Sequence, residues 1–182
     1  MQRNAARVRT ATPADAAAIA RVHLASWRTT YRGLMPRSFL DGMRLDDYTD
    51  RWRRIVMDPA ARSTVFVAEE AGQVVGFASC GRERDGDPLY QGELYAIYLV
   101  EEAQRRGYGR ALVRACAAAL AERGRTSMVI WVLRDNQPAR RFYERLGGVC
   151  LRERPLDFGA GFRAMEVSYL WEDVRDTLLA PT

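Results

Sequence analysis

The stretch "QRRGYGRALV", residues 104–113, sets Gly107 and Gly109 two positions apart among hydrogen-bond donors and then turns apolar. Gln104, Arg105, Arg106 and Arg110 surround the two glycines, with Tyr108 between them. The Ala-rich run that follows reads as a helix, so the glycines fall at its N-terminus. A helix start carries free N–H groups and the positive end of the dipole. Glycine lets an anion approach that backbone with no Cβ in the way. The chemistry suited to this spacing is a cradle for a pyrophosphate, although a tight strand-to-helix turn would use the same glycines. A Walker A loop is excluded, because no lysine followed by Ser or Thr is present. The dinucleotide fingerprint is excluded as well, because Ala111 and Leu112 follow Gly109 where a third glycine is needed.

Metal and thiol chemistry find little to work with. The single histidine, His23, lies in "IARVHLASW" and reads as a helix-packing residue. Cys80, Cys116 and Cys150 are far apart and form no CxxC pair, so no metal knuckle is expected. Cys80 and Cys116 sit in apolar surroundings and read as small core residues.

The 182 residues suit one domain, 1–182, large enough for a core. The formal charge is +5, and all 28 basic residues are arginine, which binds planar anions as a fork. An anionic ligand is therefore expected. There is no run of eighteen apolar residues and no apolar block at the N-terminus, so neither a membrane span nor a signal peptide is expected, and the cytoplasm is the expected compartment.

The elements that must position the cradle follow from pattern. "RVRTAT" reads as a strand. Thr12, Pro13 and Asp15 give helix-start signals for "TPADAAAIARVHLASW", with Ile19, Val22 and Ser26 on one face. "YRGLMPRSFLDGM" reads as a loop with a short helix, and "LDDYTDRWRRIV" as a helix with Tyr48, Trp52 and Ile55 near one face. "STVFVAEE" and "VVGFASCGR" form a hairpin turning at Ala71 and Gly72, and "GELYAIYLV" adds a strand. A helix stopped by Gly124 follows. "SMVIWVL" reads as a strand buried on both faces, "NQPARRFYERLGG" as a helix and "FRAMEVSYLW" as a late strand. The fold class is α/β, or α+β with a mixed sheet, in which a parallel crossover adjoins an antiparallel hairpin.

The run "LYAIYLVEEAQRRGYGRALV" resembles the acetyl-CoA-binding motif of the GNAT superfamily of N-acetyltransferases, on Gln104, Gly107 and Gly109 after a strand. Downstream, "WVLRDNQPARRFYERLGG" resembles that family's strand-Asn-helix-Tyr element. The resemblance covers residues 64–150 well and residues 7–31 more loosely. It implies the acyl-CoA N-acyltransferase fold, with the sheet splayed after the fourth strand and acetyl-CoA as cofactor.

The resemblance also implies roles. The cofactor's pantetheine arm would lie beside Ile97, Tyr98 and Leu99, with the Leu99 N–H toward the thioester oxygen. Backbone amides over residues 105–110 would hold the pyrophosphate. Asn136 would touch the arm, and Arg140, or Arg141, would meet the 3′-phosphate. Tyr143 would protonate the leaving thiolate, and Glu93 would serve as general base for the amine. Period two places Glu93, Tyr95, Ile97 and Leu99 on one face until a bulge shifts the phase. Where many relatives have Asp-Pro after the strand, this chain has Val100 and Glu101. Trp27, Tyr31 and Met35 would wall the acceptor pocket, with Tyr95 beside them, and an aromatic wall suits a cation.

The activity so implied is direct acetyl transfer to a primary amine of a small molecule. The alternatives are a protein N-terminus or lysine, or an aminoacyl-tRNA, as acceptor; a non-catalytic acetyl-CoA sensor is the alternative of another class. No membrane partner is expected, and nucleic acid only under the tRNA variant. A homodimer is expected by resemblance, with "RAMEVSYLW" as the strand to pair between copies.

Overall fold

The computed structural model describes residues 7–58, 60, 62–158 and 163–180. The strands are β1 (Arg7–Thr10), β2 (Ser63–Glu70), β3 (Gln73–Arg82), β4 (Gly92–Leu99), β5 (Met128–Leu133), β6 (Val149–Asp157) and β7 (Arg163–Trp171). The helices are α1 (Ala16–Thr30), α2 (Arg37–Asp41), α3 (Leu45–Val56), α4 (Tyr108–Glu122) and α5 (Gln137–Arg145). A short 3₁₀ turn, Pro13–Asp15, precedes α1; there the Asp15 carboxylate accepts from the Thr12 N–H at 2.7 Å and from the Thr12 hydroxyl at 2.9 Å.

All seven strands form one sheet in the order β1-β2-β3-β4-β5-β7-β6. The expected hairpin joins β2 to β3. Its turn residues Ala71 and Gly72 have φ of 48° and 77°, the double left-handed geometry that matches the twist of flanking strands. β4 and β5 are parallel, and α4 is the crossover between them. β5 has a strand on each side and reads "MVIWVL", a nearly continuous apolar run, because both of its faces are covered.

The sheet is packed on both faces. On one, α1 and α3 bury Ile19, Val22 and Trp52 against Val67 and Phe77. On the other, α4 buries Leu112, Val113, Cys116 and Leu120 against Ala78, Leu94 and Met128, beside α5 and the π-helical turn Arg175–Leu179. Cys80 and Cys116 are buried in that core as expected, and Cys150 is exposed.

Two expectations change. β6 was not visible in the sequence, because its side chains are mostly exposed and Pro155 interrupts it, so no apolar face repeats. Its presence puts β7 between β5 and β6. "RAMEVSYLW" is therefore an interior strand with both edges paired, and cannot pair with a second copy; the outer edge belongs to β6.

Candidate active site

β4 and β5 are paired only at Gly92–Met128 and Glu93–Val129. Beyond that point β4 runs on to Leu99 and β5 to Leu133, and the two separate, as the expected splay requires. The cause is a bulge. β4's partners on β3 step from Leu94–Cys80 to Ala96–Ser79, leaving Tyr95 without one. An extra residue of this kind bends the strand and raises its twist. The Tyr95 hydroxyl donates to the Arg82 carbonyl at 2.5 Å, and the Arg84 guanidinium lies 4.6 Å from its ring centre. Gly81 leaves the space: a Cβ there would stand 3.0 Å from Tyr95 Cε2.

The bulge also breaks the expected single-face grouping of Glu93, Tyr95, Ile97 and Leu99. Leu94, Ile97 and Leu99 pack into the α4-side core, and Ala96 and Tyr98 into the α1-side core. Glu93, next to Leu94, thus projects from the α1 side, opposite Ile97 and Leu99.

A cavity of about 830 Å³ fills the split. On β4, Glu93, Tyr95, Ile97, Tyr98 and Leu99 line it. The Val100 N–H donates to the Val75 carbonyl on β3 at 3.0 Å. Successive amides of a strand point to opposite sides, so the Leu99 N–H faces the split. The Leu99 carbonyl points there too, and accepts from the Ser26 hydroxyl at 3.0 Å and from Gln104 Nε2 at 3.4 Å.

The glycine loop reaches the same cavity. Gln104, Arg105, Gly107, Gly109 and Arg110 line it. Arg105 and Gly107 have φ of 58° and 91°. A Cβ at Gly107 would meet open space, so the backbone conformation alone demands glycine there. Gly109 serves packing: a Cβ would come to 3.1 Å from Phe142 Cζ. The Ala111 N–H, bonded to the Gly107 carbonyl at 3.0 Å, is the first bond within α4. The amides before it are those a helix leaves over, and they stand at the cavity's mouth with the positive end of the dipole.

Asn136 both caps α5, accepting from the Ala139 N–H at 3.3 Å, and lines the cavity. Tyr143 reaches it from the α4 side, buried against Phe142, Tyr169 and Trp171. Burial pushes the Tyr143 hydroxyl well above the usual phenol range, and the Tyr98 hydroxyl adds to this. Trp27 and Tyr31 line the α1 side, their rings in edge contact at 4.8 Å. The Tyr31 and Tyr98 hydroxyls are 3.1 Å apart, and burial pushes Tyr31 up to about 12.

Four expected residues fall outside the lining. Arg106 pairs with Glu70 at the β2–β3 turn. Tyr108 is buried in the core under α4. Arg140 donates to the Tyr169 hydroxyl at 3.1 Å and to the Arg134 carbonyl at 3.0 Å, while Arg141, one position on, does line the cavity. Met35 packs with Leu24, Leu40 and Met43 in a separate small core.

Glu93, the expected general base, is only 2% exposed and is clasped by Arg84. One of its oxygens accepts from Arg84 Nη2, and the other from Arg84 Nε at 3.0 Å and the Arg84 N–H at 3.3 Å. A carboxylate offers about four lone-pair sites, so one remains on Oε1.

Sequence reasoning missed Ser26, Arg154 and Glu166, which also line the cavity. Ser26 stands in an apolar helical stripe, where a small polar residue that ties a strand end was a detectable signal. Arg154 and Glu166 lie on β6 and β7, whose pairing no local pattern announces.

Comparison with known proteins fits this geometry. The chain is 40% identical over 168 residues to the uncharacterized N-acetyltransferase YuaI of Bacillus subtilis, covering 92% of this chain and 93% of that one. Its fold is similar to that of PaiA N-acetyltransferase from Thermoplasma acidophilum, solved in complex with coenzyme A, at a TM-score of 0.73 and 16% identity, covering 90% and 98% of the two chains. It is also similar to yncA from Salmonella typhimurium, solved with its cofactor acetyl-CoA, at a TM-score of 0.66 and 23% identity, covering 92% and 94%. The model of the Acetyltransferase (GNAT) family matches residues 24–148, from the middle of α1 through the end of α5. The chain belongs to that family of acetyltransferases.

Proposed function

We propose that this acetyltransferase transfers the acetyl group of acetyl-CoA to a primary amine of a small molecule, by direct attack with both substrates bound. The observation that carries the reading is the split between β4 and β5, whose inward Leu99 N–H lies in one cavity with the free amides of α4. An extended amide-bearing arm suits an unpaired strand edge, and a pyrophosphate suits a helix N-terminus. The residues present fit acetyl-CoA on both counts. Acetyl-CoA supplies an activated thioester; the chain supplies position and polarity.

The Leu99 N–H is a fixed donor for the oxyanion that forms when the amine attacks. Tyr143 stays protonated at neutral pH, since burial raises it. Its hydroxyl donates a hydrogen bond to the leaving sulfur and so stabilises the charge that builds there. Glu93, on the opposite face, accepts the amine's proton through the free site on Oε1, by way of a water. Trp27, Tyr31 and Tyr98 give the acceptor side aromatic walls, which favour a small cationic body over a polypeptide.

Calorimetric titration of acetyl-CoA tests the first half. Binding to the wild type, weakened at least about tenfold in Arg110→Glu, is the expected result. No binding to folded wild type overturns the reading. Release of CoA thiol with a panel of small amines tests the second half. Tyr143→Phe and Glu93→Gln should each lower kcat by about 10²-fold; normal turnover in both would remove these residues from the chemistry.

A further inference from the structure

We infer that Glu166, on β7, is the carboxylate that receives the acceptor's cationic group, and that it selects amines carrying no carboxylate beside the nitrogen. The inference rests on the amine-acetyltransferase reading and names the substrate class of that site.

Glu166 lies opposite Leu133, the last residue of β5. Its neighbour Val167 packs into the α4-side core, so Glu166 projects from the α1 side, the side of Tyr98. It is 6% exposed and lines the cavity. Oε1 accepts from Arg154 Nε at 2.6 Å, while Oε2 has no hydrogen-bond partner among the described residues. That oxygen opens onto the cavity and is not sealed in the core, so a donor on a bound ligand can reach it.

Arg154 is not free to cover that oxygen. Its Nη1 donates to Asp85, and its guanidinium carbon lies 3.8 Å from the centre of the Trp131 ring. One guanidinium is therefore shared between two carboxylates, Glu166 in the cavity and Asp85 outside its lining, so Glu166 does not have a cation to itself. The other carboxylate there, Glu93, is matched by its own Arg84. The unmet need is for a cationic donor. Trp131, Tyr31 and Phe158 line the same cavity and suit the apolar body of such a cation. An acceptor with a carboxylate next to its amine would bring a second negative charge against Glu166, so free amino acids are disfavoured.

The probes are phenethylamine, L-phenylalanine and 2-phenylethanol, titrated by calorimetry into the CoA-loaded protein. Phenethylammonium should bind at least about tenfold more tightly than either of the other two. Glu166→Gln should lose that preference, while Glu166→Asp, which keeps the charge, should retain part of it. Melting curves show whether each variant is folded; the wild-type comparison of ammonium with alcohol stands without them. Equal affinity of wild type and Glu166→Gln for phenethylammonium, or no ammonium preference in the wild type, overturns the inference. Acetyl transfer to phenethylamine in the same samples separates the two readings. Ammonium-selective binding without transfer to any amine overturns the catalytic reading and leaves the cation site; transfer without ammonium selectivity overturns the site alone.

Discussion

Gly76 of β3 faces Leu99 of β4 across the sheet, and the Leu99 side chain occupies the space that a Cβ at position 76 would need. Such a Cβ would also stand 3.0 Å from the Tyr98 carbonyl, which as backbone cannot give way cheaply. Leu99 carries the amide that faces the split, so this glycine sets where that donor lies. Gly76→Val is expected to displace the end of β4 and lower kcat by about 10²-fold, the scale of an ångström's misplacement. Steady-state kinetics with acetyl-CoA and an accepted amine checks it, beside a circular dichroism spectrum showing an intact fold. A folded variant with wild-type kcat would show that the position of Leu99 does not govern the reaction.

The arginines around the glycine loop are predicted to divide. Arg106 is turned to Glu70, whereas Arg105 and Arg110 line the cavity. Arg106→Ala should leave acetyl-CoA affinity within about threefold of wild type, because it removes only an exposed ion pair. Arg110→Ala should weaken it by more than that. The reverse ranking in a calorimetric titration would place the pyrophosphate on the other side of the loop.

Asn136 joins stability to the site, since the helix it caps carries Tyr143 two turns on. Asn136→Ala removes the acceptor for the Ala139 N–H, at a cost of about 1 kcal/mol. In a chain of this length that is a fall in Tm of about 2–4 °C. Differential scanning calorimetry measures it, and an unchanged Tm would mean that the cap contributes nothing.

How far the sequence could be read depended on how local each signal was. The glycine loop, the hairpin turn at Ala71 and Gly72 and the doubly buried β5 each follow from a few consecutive residues, and each stands where its pattern puts it. The splay was expected by resemblance, but its cause at Tyr95 was hidden, because a bulge shifts phase without changing composition. Arg106 and Arg110 look alike in sequence and differ only in what folds next to them. Glu166 escaped notice for the same reason: its partner Arg154 and its neighbour Leu133 come from other strands. Glu93 was expected at the site and lines the cavity, but nothing nearby announced that Arg84 would clasp it from the β3–β4 connection.

His23 should make the fold weaker as pH falls, well before acid unfolding of the carboxylates. It is 5% exposed, stacks on Tyr98 at 5.2 Å, and its Nδ1 accepts from Trp52 Nε1 at 3.1 Å. That bond assigns the proton of the neutral ring to Nε2. Burial, and secondarily the charge of Arg51, hold its pKa down to about 3, from an ordinary value of 6.5. Below pH 6.5 the unfolded chain therefore binds a proton that the folded chain refuses. The stability is fully present above 6.5 and is lost as pH falls from there toward 3, with a limiting slope of about 1.4 kcal/mol per pH unit. Asp15 acts with the same sign but lower down, because the Arg9 guanidinium holds its carboxyl below the usual range. The interval from pH 6.5 to about 4.5 thus belongs mainly to His23. In His23→Gln the amide oxygen can still accept from Trp52, but nothing titrates at that position. Urea denaturation at pH 7.5 and pH 5 should show a loss in the wild type of about 2 kcal/mol and a much smaller loss in the variant. Equal losses in the two proteins would mean that the ring takes up its proton in the folded state.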